Sequence, residues 1–359
     1  MREVERQEAV LEALAGRGLG ALVVTDLANV RYLTGYVGSN GIALIGPGGR
    51  TLLTDSRYEV AAREQARGVD VVIGRRDLHG DAAAVLPGVA GEGPVGVEAE
   101  SLTLARHGRL QAMLEGTTLE PTTGLVEALR EVKDPDELEA MPEAAAVVDR
   151  ALAAVLERGI VGRTEREVAF ALHAAMLEEG AERPSFETIV AAGPRGSRPH
   201  AVPGPDPIPA GTLVTIDLGA VVDGYCSDMT RTIATGPLPP RLAEIYEVCL
   251  RAQQAAVDAA RGGMAASELD AVARAVIADA GYADAFGHGL GHGVGLAIHE
   301  APGVRPESTA TLRSGMAVTI EPGIYLEGEG GVRIEDLVIL GDEGCEVLSR
   351  SPKALTTVD

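Results

Sequence analysis

Residues 215–219 read TIDLG and residues 319–323 read TIEPG. Each stretch places a carboxylate, Asp217 or Glu321, after a Thr-Ile pair and before a glycine. Each is followed by a second acid, Asp228 in GYCSDMTRT or Glu335 in GVRIEDLVI. Four of the seven histidines, His200, His288, His292 and His299, fall in the same hundred-residue window. Three of them lie in FGHGLGHGVGLAIHEAP among five glycines. Glycine lets backbone approach a ligand closely, so this stretch reads as a fitted loop and strand and not as a helix face. Strand side chains alternate faces, so Asp217 and Glu321 point away from Ile216 and Ile320 and converge on whatever lies opposite the apolar layer. Four carboxylates facing one another cannot all ionise in a dry site, because like charges raise each other's pKa. Two divalent cations would cancel their charge. Oxygen-dominated ligation with imidazole and no thiolate suits Mn²⁺ or Co²⁺, with Fe²⁺ and Zn²⁺ as alternatives. A water bridging two such ions would be acidified into a hydroxide nucleophile.

The chain must supply strands for these acids. Segment 211–235 reads as two strands about a turn, a helix is expected over about 240–280, and strands return after 315. Upstream, LREVKDPDELEAMPEAAAVVDRALAAVLERG opens a helix with Asp134 as N-cap, Pro135 at N1 and Glu137 at N3. Pro142 falls inside that pattern and is expected to kink or restart the helix. From there helices run to about 180. Helices set apart from clustered strands suggest an α+β domain over 131–359. The echo of TIDLG in TIEPG suggests two related halves facing each other. Residues 1–130 alternate differently. GALVVTD, GIALIG, TLLTDS, VDVVIG and GPVGVEA are short apolar runs bounded by Gly, Pro or Asp, as buried strands should be, and EVAAREQA reads as helix. This part is an α/β domain without a catalytic cluster of its own.

A length of 359 residues suits two domains, and 46% hydrophobic residues can fill two cores. A net charge of −22 argues against nucleic acid, whose phosphates require a basic face. No apolar run approaches the ~20 residues that span a membrane. The start, MREVERQEAVLEALAGRG, reads as a charged amphipathic helix and lacks the apolar core of a signal peptide. Cys226, Cys249 and Cys345 are scattered, which implies neither a disulfide framework nor a thiolate zinc site. A reduced, cytoplasmic protein is expected.

Asp217, Asp228, His292, Glu321 and Glu335 match, in order and approximate spacing, the metal-ligand set of the pita-bread metallopeptidases. That family includes prolidases, aminopeptidase P and methionine aminopeptidase. SFETIVAAG, PHAVP, DGYCSDMTRT, GHGVGLAIHE, TIEPGIY and GVRIED are similar to its proline-specific branch, and NVRYLTGYVGSNG with LLTDSRY resembles that branch's creatinase-like N-terminal domain. The resemblance covers nearly the whole chain. It implies a creatinase-like α/β domain (1–130) followed by an α+β pita-bread catalytic domain (131–359). It implies that Asp217 chelates one metal, that Asp228 and Glu335 bridge, and that His292 and Glu321 hold the second. Glu321 would also accept the proton of the attacking water. His200 and His299 resemble the family's substrate-facing histidines. His288 would be a further substrate contact, and Arg333 a cation near the bridging carboxylates and the substrate. Methionine aminopeptidase generally lacks a large N-terminal α/β domain, and GVRIED is unlike its final ligand strand. Creatinase and some histone-binding domains keep the fold without metals, but all five ligand positions stand here.

The expected activity is that of a prolidase, an Xaa-Pro dipeptidase. The alternative is aminopeptidase P, which accepts longer peptides. An X-Pro bond is a tertiary amide whose leaving group is a secondary amine that must be protonated, and a placed imidazole supports that transfer. A dipeptidase must also read the proline carboxylate, most simply with an arginine fork. Candidates in the N-terminal domain are Arg57 in LLTDSRY, Arg50 in GPGGRT and Arg31 in NVRY. Members of the family are commonly dimers, so a homodimer is expected.

Overall fold

Most of the apolar runs bounded by Gly, Pro or Asp become strands of the first of two compact units, Met1–Arg130 and Glu131–Asp359. The structure is a computed structural model that describes residues 2–358. The first unit holds one six-stranded sheet built from β1 (Ala21–Val24), β2 (Ile42–Gly46), β3 (Gly49–Asp55), β4 (Asp70–Gly74), β5 (Val95–Glu98) and β6 (Leu119–Thr122). Their order is β4-β3-β2-β1-β5-β6. Only β2 runs against the others. Helices α1 (Arg2–Arg17), α2 (Leu27–Thr34), α3 (Glu59–Gln65), α4 (Leu78–Val89), α5 (Leu104–Met113) and α6 (Glu127–Arg130) complete the unit. β1 and β2 are buried throughout, which is why they read as unbroken apolar runs. β6 escaped the sequence reading because LEPT has no such run. It is an edge strand, where Pro121 forfeits no needed donor.

The second unit opens with α7 (Pro135–Glu157), capped reciprocally by Asp134 and Glu137. Pro142 does not restart this helix, which runs unbroken past it. Burial of Met141, Ala144, Ala145 and Val148 on both sides of the proline outweighs the one lost backbone bond. α8 (Glu165–Glu178) follows. Next come β7 (Arg183–Pro184), β8 (Ile189–Ala192), β9 (Leu213–Leu218), β10 (Ala220–Val222), β11 (Tyr225–Cys226) and β12 (Met229–Ala234). The two strands expected over 211–235 are therefore four, because the chain bends sharply at Gly219. A Cβ there would sit 2.1 Å from Ser185 Oγ and from the Ser227 carbonyl.

The single helix expected over 240–280 is two, α9 (Pro240–Ala259) and α10 (Ala266–Asp279). Between them Gly263 adopts φ +85°, and a Cβ on Gly262 would meet Ser314 N at 2.8 Å. Strands return before 315, as β13 (Gly291–Gly293) and β14 (Glu300–Val304). β15 (Ala317–Ile320), β16 (Gly323–Leu326), β17 (Gly330–Arg333), β18 (Asp336–Leu340) and β19 (Cys345–Val347) complete the unit.

The second unit is two similar halves. In one, α7 and α8 cover the sheet β12-β9-β8 and bury Val148, Leu152 and Leu172 with Val214 and Ile216. In the other, α9 and α10 cover the sheet β14-β13-β15-β18-β19 and bury Ile245 and Leu269 with Val318 and Ile320. The halves are stitched where Glu335 N donates to the Thr230 carbonyl and Thr232 Oγ1 donates to that of Arg333. Behind this seam Arg231 is only 2% exposed. It donates to Asp336 at 2.8 Å and to the Ser351 carbonyl, while Lys353 reaches Asp336 at 2.7 Å. Among the described residues no helix is long and apolar enough to cross a membrane.

Candidate metal centre

Alternation along β9 and β15 puts the apolar partners in two different cores and the acids in one cavity. Ile216 is buried under α7 and α8, and Ile320 under α9 and α10. Asp217, Asp228, His292, Glu321 and Glu335 all line a single cavity of about 520 Å³ between the halves. Asp217 stands opposite Thr230 in the β9–β12 ladder. Asp228, His292 and Glu335 can each bring one ligand atom within 4.8 Å of the others.

Each outer carboxylate is held from behind by one oxygen. Arg333 Nη2 donates to Asp217 Oδ2 at 2.6 Å, Thr230 Oγ1 to Glu335 Oε2 at 2.7 Å, and Thr319 Oγ1 to Glu321 Oε1 at 3.1 Å. For Glu321 it is this held Oε1 that lies nearest His292 Nε2, whereas Asp217 and Glu335 each keep a second oxygen. That of Asp217 is buried with no hydrogen-bond partner among the described residues, a state that costs roughly 1–3 kcal/mol unless something binds there. His292 is oriented too. A carbonyl only accepts, so Nδ1–H must donate to Gly293 O at 3.0 Å, which leaves Nε2 with a lone pair 3.4 Å from Glu321 and 3.5 Å from Asp228. Burial pushes this imidazole down to about 4, so it is neutral and able to ligate.

The carboxylates show the opposite strain. Burial, together with the charges of Asp217 and Glu321, lifts Asp228 and Glu335 well above the usual carboxylate range. Burial is also what raises Glu321 to about 7, against the opposing pull of Arg333. A single guanidinium does not balance four acids. The donor set, the orphaned oxygen and the neutral imidazole together fit divalent cations.

The remaining histidines divide by their bonds. His288 Nδ1–H donates to Gly289 O at 2.8 Å, and Nε2 then accepts from Tyr325 Oη–H at 3.0 Å. The same Tyr325 oxygen accepts from Arg333 Nη1 at 2.9 Å. Both nitrogens of His288 are thus engaged, and it buttresses Tyr325 and Arg333. Arg333 is 3% exposed and donates to Asp217, Thr230, Tyr325 and the Pro199 carbonyl. It stands behind the acids with its donors committed. His200 and His299 line the open part of the cavity, with the His299 ring edge-on to His292 at 4.4 Å between centroids.

Arg57 lies in the first unit with its fork closed on Asp55, through Nε and Nη2 at 2.8 Å each. Arg50 there donates to Glu8. Arg31 lies in the last turn of α2. The cavity's lining residues all come from the second unit, and they include an arginine the sequence reading missed, Arg305. Arg305 directly follows β14, whose Gly303 pairs with His292. Only that hairpin register distinguishes it from the many other arginines. Phe186, Ile189, Val202 and Ile298 give the same cavity an apolar wall.

Comparison with known proteins agrees with this geometry. Residues 139–342 match the family described as Metallopeptidase family M24, and residues 6–132 match the Creatinase/Prolidase N-terminal domain. The chain is 39% identical over 338 residues to "Uncharacterized peptidase YqhT" of Bacillus subtilis, covering 94% of this chain and 96% of that one. The fold superposes on an Xaa-Pro dipeptidase from Bacillus anthracis with a TM-score of 0.96 at 38% identity, covering 99% of this chain and all of that one (100%). It also superposes on an X-Pro aminopeptidase from Thermotoga maritima with a TM-score of 0.89 at 33% identity, covering 98% of this chain and 100% of that one.

Proposed function

The chain belongs to metallopeptidase family M24, and from that premise we propose that it is an Xaa-Pro dipeptidase whose catalytic unit is residues 131–359. Asp217, Asp228, His292, Glu321 and Glu335 would hold two divalent ions, Mn²⁺ or Co²⁺ by the oxygen-rich donor set. Bound there, the ions would polarise the scissile carbonyl and acidify the attacking water. Glu321, raised to about 7, is matched to take the proton that this water loses and to release it later. His299 and His200 face the scissile group, where one imidazole steadies the developing oxyanion and the other supports protonation of the departing proline nitrogen. His288 and Arg333 keep Tyr325 and Asp217 in place.

The observation that favours a dipeptidase is Arg305, a guanidinium in the same cavity as the metal donors and without a competing carboxylate among the described residues. The proline carboxylate of Xaa-Pro is one residue from the scissile bond, and an arginine fork reads it bidentately. We assign the reading to Arg305 in preference to Arg57 and Arg50, whose forks hold Asp55 and Glu8. Arg305→Ala is expected to raise KM for Xaa-Pro by about 10-fold or more, the worth of a charged hydrogen bond, while sparing Xaa-Pro-Yaa. Arg57→Ala should leave both unchanged. The likeness to the Thermotoga maritima enzyme keeps aminopeptidase P as the second reading. Steady-state rates on the two substrate lengths decide, and tripeptides cleaved faster than dipeptides would establish it.

Cys226, Cys249 and Cys345 are free thiols, which fits a reducing cytoplasm. We also propose a homodimer. Light scattering should return twice the chain's 37.1 kDa, and a 37.1 kDa particle across a wide concentration range would refute it.

A further inference from the structure

The first unit carries a cavity of its own, about 410 Å³, whose lining includes Thr25, Ser39, Arg76, His79, Arg106 and Arg109. Its position follows from the topology. After β1 the chain builds β2, β3 and β4 outward on one side, then returns to place β5 and β6 on the other. The order reverses between β1 and β5, and open sheets of this type bind ligands outside the carboxyl ends of strands at such a reversal. Thr25 directly follows β1, Arg76 follows β4, and Arg106 lies in the first turn of α5 after β5. Helices α2, α4 and α5 all begin beside the cavity, their N-termini capped by Asp26, Asp77 and Thr103.

Charge points the same way. In a chain of net charge −22, this cavity gathers three arginines against one acid, Asp77. Asp77 is already engaged by His79 Nδ1 at 2.9 Å and by Arg109 Nη1 at 3.3 Å. The guanidinium groups of Arg76 and Arg106 have no carboxylate partner among the described residues. Two guanidinium forks without a carboxylate of their own are the groups that recognise a phosphate, and the volume leaves room for a small organic body beside it.

We infer that this cavity binds a small phosphate-bearing molecule, independently of the peptidase site. Calorimetric titration of the full-length, metal-loaded protein with inorganic phosphate, at constant ionic strength, tests it. Saturable binding is expected, weakened about 10-fold or more in the Arg76→Ala, Arg106→Ala double variant. Xaa-Pro turnover and melting temperature should be unchanged by that pair, since both side chains are exposed. Acetate at the same concentration should bind more weakly. The inference is overturned by no binding up to about 10 mM, by equal phosphate affinity in wild type and double variant (an anion on the metals instead), or by acetate binding as well as phosphate.

Discussion

Chelation should abolish turnover, and Mn²⁺ or Co²⁺ should restore it, because the water is activated only when the donor set is filled. Full activity in a demonstrably metal-free sample would sink the mechanism. Stability should move with the metal in a pH-dependent way. Glu321 rises from an ordinary 4.5 to about 7 in the metal-free fold, with Asp228 and Glu335 also raised. Below about 4.5 these acids are protonated in both folded and unfolded chains, and the folded state keeps its full contribution from them. As pH climbs through about 7 the unfolded chain has already released its protons, the folded site is forced to ionise, and that contribution is lost. His292 and His288, both lowered to about 4, work the other way until the unfolded imidazoles are neutral, so the metal-free protein should melt at progressively lower temperature from about pH 6.5 to about pH 8. Saturating metal replaces protons with cations and binds only the folded state, a gain of roughly 2.7 kcal/mol at a hundredfold excess over Kd. The metal-induced rise in Tm should accordingly be larger at the higher pH. Calorimetric melts with and without metal at the two pH values check this, and a rise that shrinks with pH would count against the cradle.

His299→Ala and His200→Ala should each lower kcat by about 10²-fold, the size of a lost acid–base or oxyanion contribution. Metal content should remain near about two ions per chain, as neither residue belongs to the donor set. The His299 ring does lean edge-on against His292, so loosening at the metal is the competing outcome. Inductively coupled plasma measurement on the purified variants separates the two. An emptied site in His299→Ala would show that the histidines had been divided wrongly between ligands and substrate contacts. His292→Ala is the control that should lose metal.

That Asp217 and Glu321 face one cavity was legible because they sit on or beside strands, where alternation alone separates Asp217 from Ile216 and Glu321 from Ile320; Asp228, His292 and Glu335, which line the same cavity, were singled out through the family resemblance. Strands β1, β2, β3 and β5 were legible for a related reason, since burial on both faces leaves apolar runs between Gly, Pro and Asp, and half-buried β4 at the sheet edge keeps its run in VDVVIG. What stayed hidden depends on partners far away in the chain. Thr230 and Thr319 look like ordinary strand residues until their hydroxyls are seen holding Glu335 and Glu321. Tyr325 and Arg305 matter only through pairings with His288 and Arg333, and with the β13–β14 hairpin. The four short strands around Gly219 and the break between α9 and α10 turned on glycines whose lost side chain makes room for remote backbone or side chains. The restart expected at Pro142 failed the other way, as a local signal overruled by burial.

The Arg231–Asp336 pair bears on how the protein can be handled. Its companions Ser351 and Lys353 belong to a segment that Asp149 also holds, through the Arg350 and Ser351 amides at 2.8 and 2.7 Å. That segment is the lid over two buried charges. Trimming from about residue 349 would take Lys353 from Asp336 and the Ser351 carbonyl from Arg231 and open the remaining pair to solvent. Glu335 lies directly beneath, its backbone carbonyl bonded to Arg231. A shortened protein should thus come out of purification poorly metallated before it comes out unfolded, and a fusion joined close to residue 353 should do the same.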